Sequence, residues 1–246
     1  MATIIISRFD ENLDWLSKYK EFKIIIYNKG NSLDFKGYSK IINLPNIGRE
    51  SHTFLYHIIR NYNNLDDVNI FLQGRIDDLG KLAYQDIYKY LDECHRKGFS
   101  VRRYGILGPF HWKKNLGLEN NSKYFSKLED NSLKDPKISF RKLAKIFINK
   151  IPLFTATSYG GCFAVSKELI MQYDINLYKK LLDVLSDNDN PLEGHYMERL
   201  WCYLFTKNKY LLRSFRDVLL TKYEKYFSNY SESNKLKIWR KNNHKK

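Results

Sequence analysis

Three short apolar runs constrain the fold of this chain more than any other feature: residues 3–7 (TIIIS), 23–27 (KIIIY) and 68–72 (VNIFL). Each has strand length, and each stops abruptly at a polar or turn-forming cluster: Arg8-Phe9-Asp10, Asn28-Lys29-Gly30 and Gln73-Gly74-Arg75. Runs that are apolar throughout, rather than alternating, read as strands buried on both faces. Between the second and third runs lies a helical pattern over residues 50–62, with Phe54, Leu55, Ile58, Ile59 and Tyr62 at helical spacing. Residues 41–42 read as a short edge strand ended by Leu44-Pro45. Strand and helix alternating with short connectors is the signature of an α/β domain with a mostly parallel sheet.

The stretch from 44 to 78 carries the functional signal. Asn46-Ile47-Gly48-Arg49-Glu50-Ser51-His52 places turn formers and polar groups ahead of the helix, the arrangement of a helix N-terminus that can meet an anion. The strand at 68–72 then ends in Gln73-Gly74-Arg75 and the pair Asp77-Asp78. In open α/β sheets ligands sit beyond the carboxyl ends of strands. A helix start and a strand end, close in sequence, are therefore the expected walls of a site. Arg49 suits bidentate contact with phosphate. Asp77 and Asp78 suit Mg²⁺ or Mn²⁺, and compete with the simpler reading of a helix cap. His52 and His57 are five apart, so they do not form the i, i+4 pair of a helical zinc site, and structural roles are expected for both.

Further along, residues 82–97 read as a helix with Tyr84, Ile87, Tyr88, Leu91 and Cys94 on its inner face. Residues 98–137 lose periodicity: Tyr104 and His111-Trp112 fall in segments read as basic, aromatic loops, and 115–135 as a polar surface segment. Residues 140–149 read as a helix and 155–165 as one strand interrupted by Gly160-Gly161, where a ligand or another backbone comes close. A long helix is expected over 167–185. Another opens at Pro191, with Met197, Leu200, Trp201, Leu204 and Phe205 as its stripe. At its start, Glu193, His195 and Glu198 form the third polar constellation; His195 and Glu198 share a face, and a carboxylate there could act as general base. An ordinary Glu–Arg pair with Arg199 would look identical.

The charge is lopsided, with 42 Lys+Arg against 27 Asp+Glu, a formal +15. That implies an anionic partner, unless it reflects the composition of the source. Cys94, Cys162 and Cys202 are sparse and unpaired in sequence, which points to a reducing compartment and away from a disulfide or zinc scaffold. No run approaches the roughly 20 residues of a membrane span. A cytoplasmic protein is expected, with peripheral contact to an anionic membrane through a basic, aromatic helical extension at 207–246, beyond a principal domain at 1–206. Nucleophilic elbows, Walker loops and dinucleotide-binding glycine motifs are missing.

The blocks SRFDENLDWL, IIIYNKG, LPNIGRESHTFLYHIIRNYNNL, IFLQG, GGCFAVSKELI and MERLW together resemble a domain-of-unknown-function family. Their order is similar to that of GT-A glycosyltransferases of capsule and surface-glycan synthesis. That resemblance implies a GT-A-like domain, a nucleotide-sugar donor, a glycan or glycolipid hydroxyl acceptor and an inverting transfer. Arg8, Asp10, Asn46, Gly48, Arg49, Gln73 and Arg75 would then bind the donor, with Asp77 and Asp78, or a Mn²⁺ or Mg²⁺ ion they hold, at the diphosphate. No Asp-x-Asp follows the strand at 68–72, where the pair is Asp77-Asp78, and metal dependence stays open. Glu198, or else Glu193, would be the base and His195 would orient it. Tyr104, His111, Trp112, Tyr159, Gly160, Gly161 and Arg199 would form the acceptor side. Two rival readings are a non-enzymatic basic protein that binds nucleic acid, which the transferase reading does not expect, and a hydrolase of sugar phosphates.

Overall fold

The computed structural model describes residues 1–33, 40–76, 87–101, 104–113, 136–209 and 211–212. A six-stranded sheet in the order β3-β2-β1-β4-β8-β5 forms its centre. The strands are β1 (Ala2–Arg8), β2 (Lys23–Asn28), β3 (Lys40–Asn43), β4 (Val68–Gln73), β5 (Phe99–Val101) and β8 (Phe163–Ser166). The first four run parallel, with Ile5 opposite Ile25 on one side and Phe71 on the other. β8 is antiparallel to both β4 and β5. The mostly parallel α/β sheet expected from the sequence is therefore present.

Alternation along β1 explains its unbroken apolar run. Ile5 packs on one face with Ile25, Tyr27, Phe71 and Phe163, while Ile4 and Ile6 pack on the other with Ile24, Ile26, Ile70 and Leu72. The first face is covered by α1 (Arg49–Asn61), α6 (Ile175–Val184) and α7 (Leu192–Thr206). The second is covered by a 3-10 helix (Asp14–Tyr19) and α2 (Ile87–Lys97). In α2 the buried residues are Ile87, Tyr90 and Cys94, whereas Tyr88 points outward; the stripe expected from the sequence is rotated by this one position.

α7 is buried nearly all round, because the main sheet and a second, two-stranded sheet enclose it. Trp201 and Phe205 stack on each other and meet Phe163 of β8. On the opposite side, the Thr157 and Ser158 hydroxyls of β7 (Thr155–Ser158) donate to the carbonyls of Arg199 and Glu198. β7 pairs antiparallel with β6 (Tyr104–Leu107). Residues 155–165 are thus two strands in two sheets, not one interrupted strand: Gly160 and Gly161, both at positive φ, turn the chain from β7 into β8.

Other differences are local. The segments read as loops around Tyr104 and His111-Trp112 contain β6 and the short helix α3 (Pro109–Lys113). The helix expected at 140–149 is one α-helical turn and a half, α4 (Phe140–Ala144), capped by the Ser139 hydroxyl. The long helix at 167–185 is divided into α5 (Lys167–Met171) and α6, because Asp174 leaves the helical conformation and caps the second piece through the Asn176 N–H. Asp77, Asp78, Tyr84, residues 115–135 and the basic segment from 213 onward lie outside the described residues. Among those described, no helix is long and apolar enough to cross a membrane.

Candidate functional site

The order of strand addition reverses at β1: β2 and β3 are added on one side of it, and β4, still parallel, on the other. Such a switch point opens a crevice at the carboxyl ends of the strands. A cleft of about 490 Å³ lies there, lined among others by Ser7 and Arg8 from β1, Lys29 after β2, Gln73 at the end of β4 and Arg75 beyond it. That volume falls within the roughly 300–1,000 Å³ of small-molecule sites. Asn46, Arg49 and Glu50 enter from the start of α1, and Asp189 and Asn190 from the loop before α7. Of the residues expected to contact a donor, Arg8, Asn46, Arg49, Gln73 and Arg75 are therefore neighbours. Asp10 sits in an adjoining cleft with Phe9, Glu11, Trp15 and Arg75, where its carboxylate accepts the Asn31 N–H at 2.8 Å.

Side chains at the strand ends knit the walls. The buried Arg8 guanidinium donates to the carbonyls of Phe9, Glu11 and Asn31 and, at 2.5 Å, to the side chain of Asn28. The Lys29 ammonium donates to the carbonyls of Ile47 and Arg49 at 2.5 and 2.6 Å, pinning the loop into α1. Burial pushes its pKa down to about 8, opposed by the charge of Glu50. Gly30 must be glycine, because a Cβ there would lie 1.8 Å from the Phe9 carbonyl oxygen.

The start of α1 differs from a free anion-binding end. Gly48 and Arg49 both have positive φ, and their N–H groups donate to the carbonyls of Asn188 and Asp189. Two N–H groups at the helix entry are thus taken up by the loop before α7, and the Arg49 side chain reaches the cleft. Its Nη1 donates to Asn190 Oδ1 at 3.0 Å and to His195 Nε2 at 2.9 Å, and its Nε lies 3.5 Å from Glu50.

Behind Arg49 the third constellation forms a relay. An arginine can only donate, so His195 Nε2 accepts and Nδ1 carries the proton. Nδ1 faces Glu198 at 3.9 Å. Burial lowers the His195 pKa, with the Glu198 carboxylate opposing and the Arg49 charge adding to the shift, and the ring is neutral at pH 7. Glu198 also accepts the Gly160 N–H at 2.6 Å and pairs with Arg199 at 2.5 Å. Burial alone would raise its pKa, but His195, Arg199 and the Gly160 N–H outweigh this and hold it at about 2. Arg199 in turn lies over the Tyr159 ring, 4.7 Å from the centroid.

Two glycines join the relay to the cleft. A Cβ on Gly161 would lie 2.8 Å from Gln73 Nε2 and 3.1 Å from Glu50 Oε1; one on Gly194 would lie 3.2 Å from Arg49 Cδ. Gly161 is therefore brought against Gln73 and Glu50, and His195 against Arg49, with Glu198, Gly160, Arg199 and Tyr159 linked in turn behind them. Glu193 is not: it is buried and its carboxylate accepts the Ile138 N–H at 3.1 Å. Tyr104 is buried in β6, Trp112 stacks on Phe140 at 4.8 Å, and His111 Nδ1 accepts the Gly108 N–H, so these three serve packing and a turn. His52 and His57 are buried, and His57 pairs with the Tyr27 hydroxyl at 3.0 Å. Lys29, Glu50, Asp189 and Asn190 are cleft residues that sequence reading missed. Among the described residues no group of three or more His, Cys, Asp or Glu could hold a metal ion.

Fold and cleft together define an α/β protein with a polar crevice at the switch point of a mostly parallel sheet. The chain belongs to the family described as "Protein of unknown function (DUF3431)", which matches residues 4–218. No curated protein matches it.

Proposed function

We propose that this protein is a GT-A-like glycosyltransferase that takes a sugar from a nucleotide-sugar donor. The observation that carries the reading is the convergence of Arg8, Lys29, Arg49 and Arg75 on one crevice at the carboxyl ends of β1, β2 and β4. A nucleoside diphosphate is the ligand whose charge and size suit such a crevice. In this reading Arg75, the exposed cation of the set, meets the diphosphate and stabilises it as charge develops on the leaving group. Gln73 and Asn46 supply neutral hydrogen bonds to the same ligand. A divalent ion would be held by Asp77 and Asp78, which follow Ile76 directly, and would neutralise the diphosphate.

The acceptor hydroxyl, on a glycan or glycolipid, would approach past Gly161, where only a hydrogen atom separates the turn from Gln73 and Glu50. Glu50 is the carboxylate at that point and the candidate base for an inverting displacement. Glu198, with a pKa near 2 and its Oε1 engaged by both Gly160 and Arg199, is a weak base. Its place is that of a positioning residue, acting through His195 on Arg49.

Titrating the protein with a panel of uridine, guanosine, cytidine and thymidine nucleotide sugars tests the proposal. Each is tried with and without Mn²⁺, followed by calorimetry and by release of the nucleotide. Binding of at least one donor, lost in Arg75→Ala, is the expected result. Absence of binding and of turnover for every donor would sink it.

A further inference from the structure

At one corner of the molecule, away from the cleft, four large apolar side chains stand in water. Leu153 is 66% exposed, Phe154 38%, Phe110 55% and Leu212 85%. Backbone contacts gather them. The Asn208 side chain donates to the Phe154 carbonyl and accepts the Ala156 N–H, at 3.0 and 2.9 Å, and the Asn208 carbonyl accepts the Leu211 N–H beside Leu212. The Phe154 ring lies against Gly108, where a Cβ would be 3.3 Å away. The Gly108 N–H donates to His111 Nδ1, which fixes the turn of α3 that presents Phe110.

The segments that build this corner are basic. Segments 104–113, 136–158 and 207–212 contain eight Lys or Arg and no Asp or Glu. On α4 and the turn after it, Phe140, Leu143, Ala144 and Ile148 face the core, while Arg141, Lys142, Lys145 and Lys150 face water. Lys137 pairs with the carboxylate of Asp187.

We propose that this corner is a docking surface for an anionic phospholipid bilayer. Exposed leucine and phenylalanine tips flanked by solvent-facing cations match the interfacial region of a membrane, where apolar side chains enter the acyl boundary and cations meet headgroup phosphates. A nucleic-acid backbone would use the cations but leave Leu153 and Leu212 without a role. The contact is independent of any reaction in the cleft, since none of these residues lines it.

Sedimentation of the full-length protein with vesicles tests this. It should bind vesicles of phosphatidylcholine mixed with phosphatidylglycerol and ignore phosphatidylcholine alone. Each basic side chain near an anionic surface changes partitioning about fivefold. The triple variant Lys142→Gln/Lys145→Gln/Lys150→Gln should therefore bind roughly a hundredfold more weakly. Phe110→Ser/Leu153→Ser should lose the part of the binding that survives high salt, with unchanged thermal unfolding. Leu153→Ser alone, at the more exposed position, carries the same expectation if the double variant unfolds. Absence of binding, full binding by both variants, or displacement of the vesicles by single- or double-stranded nucleic acid would overturn the proposal.

Discussion

Arg49 Nη1 donates to His195 Nε2 across 2.9 Å, joining the first residue of α1 to the first turn of a helix 146 positions later. The bond fixes the imidazole tautomer, turns its N–H toward Glu198, and holds the guanidinium at the rim of the cleft. Arg49→Lys replaces a planar fork with a single ammonium that cannot serve Asn190, His195 and Glu50 together. We expect a loss of about 1–3 kcal/mol in unfolding free energy and at least a tenfold loss of donor affinity, read by denaturant titration and calorimetry.

Arg75 separates binding from folding. Its side chain is exposed in the cleft, so Arg75→Ala should move stability by no more than about 0.5 kcal/mol. The same change should weaken a diphosphate ligand by about tenfold or more, as loss of a charge-assisted hydrogen bond does. Equal loss of both would place Arg75 in the framework instead.

Gly161→Ala tests how closely the two halves of the site approach. The residue has φ +62°, and the new methyl would press on Gln73 and Glu50. A stability cost of about 1 kcal/mol is expected from the backbone alone. A larger effect should appear in ligand binding, because both displaced side chains line the cleft.

Acid should weaken the fold in two stages. Burial, reinforced by Lys29 and Lys23 respectively, drops His52 and His57 from 6.5 to about 4. Between those values the unfolded chain binds more protons than the folded one, so stability is full above pH 6.5 and is lost as pH falls toward 4. For the well-buried His57 the limit is on the order of 3 kcal/mol. Glu198 acts lower: its contribution is present above an unfolded value near 4.5 and disappears as pH falls through about 2. Thermal unfolding against pH should show the first stage reduced in His57→Gln, whose amide can still pair with Tyr27.

Much of this was written in local pattern. β1, β2 and β4 declare themselves because burial on both faces demands unbroken apolar runs, and Arg8, Gln73 and Arg75 follow as the residues at their ends. Arg49 was legible from the turn that precedes α1. What was not legible depends on distant chain. Asp189 and Asn190 reach the cleft only through tertiary packing, and Lys29 reads as a turn residue until its carbonyl partners are known. Tyr104 and Trp112 looked like ligand-facing aromatics, yet composition cannot tell a stacking platform from a core ring; Phe140 covers Trp112. β5 and β6 have three and four residues, too few for a periodicity to register. The break between α5 and α6 did carry a signal, since Asp174 is a good helix cap, but the apolar spacing on either side hid it.

The loop that closes the start of α1 also sets an order of events during synthesis. Asn188, Asp189 and Asn190 supply the partners of Gly48 and Arg49, so the crevice between β1 and β4 stays open-walled until residue 190 has left the ribosome. Pairings of such sequence separation form late and slowly. A chain stopped before α7 would keep the four parallel strands β1 to β4, with one face covered by α1 and α6 alone. Such a species is a candidate for chaperone capture, and the proposed site would be complete once α7 is in place.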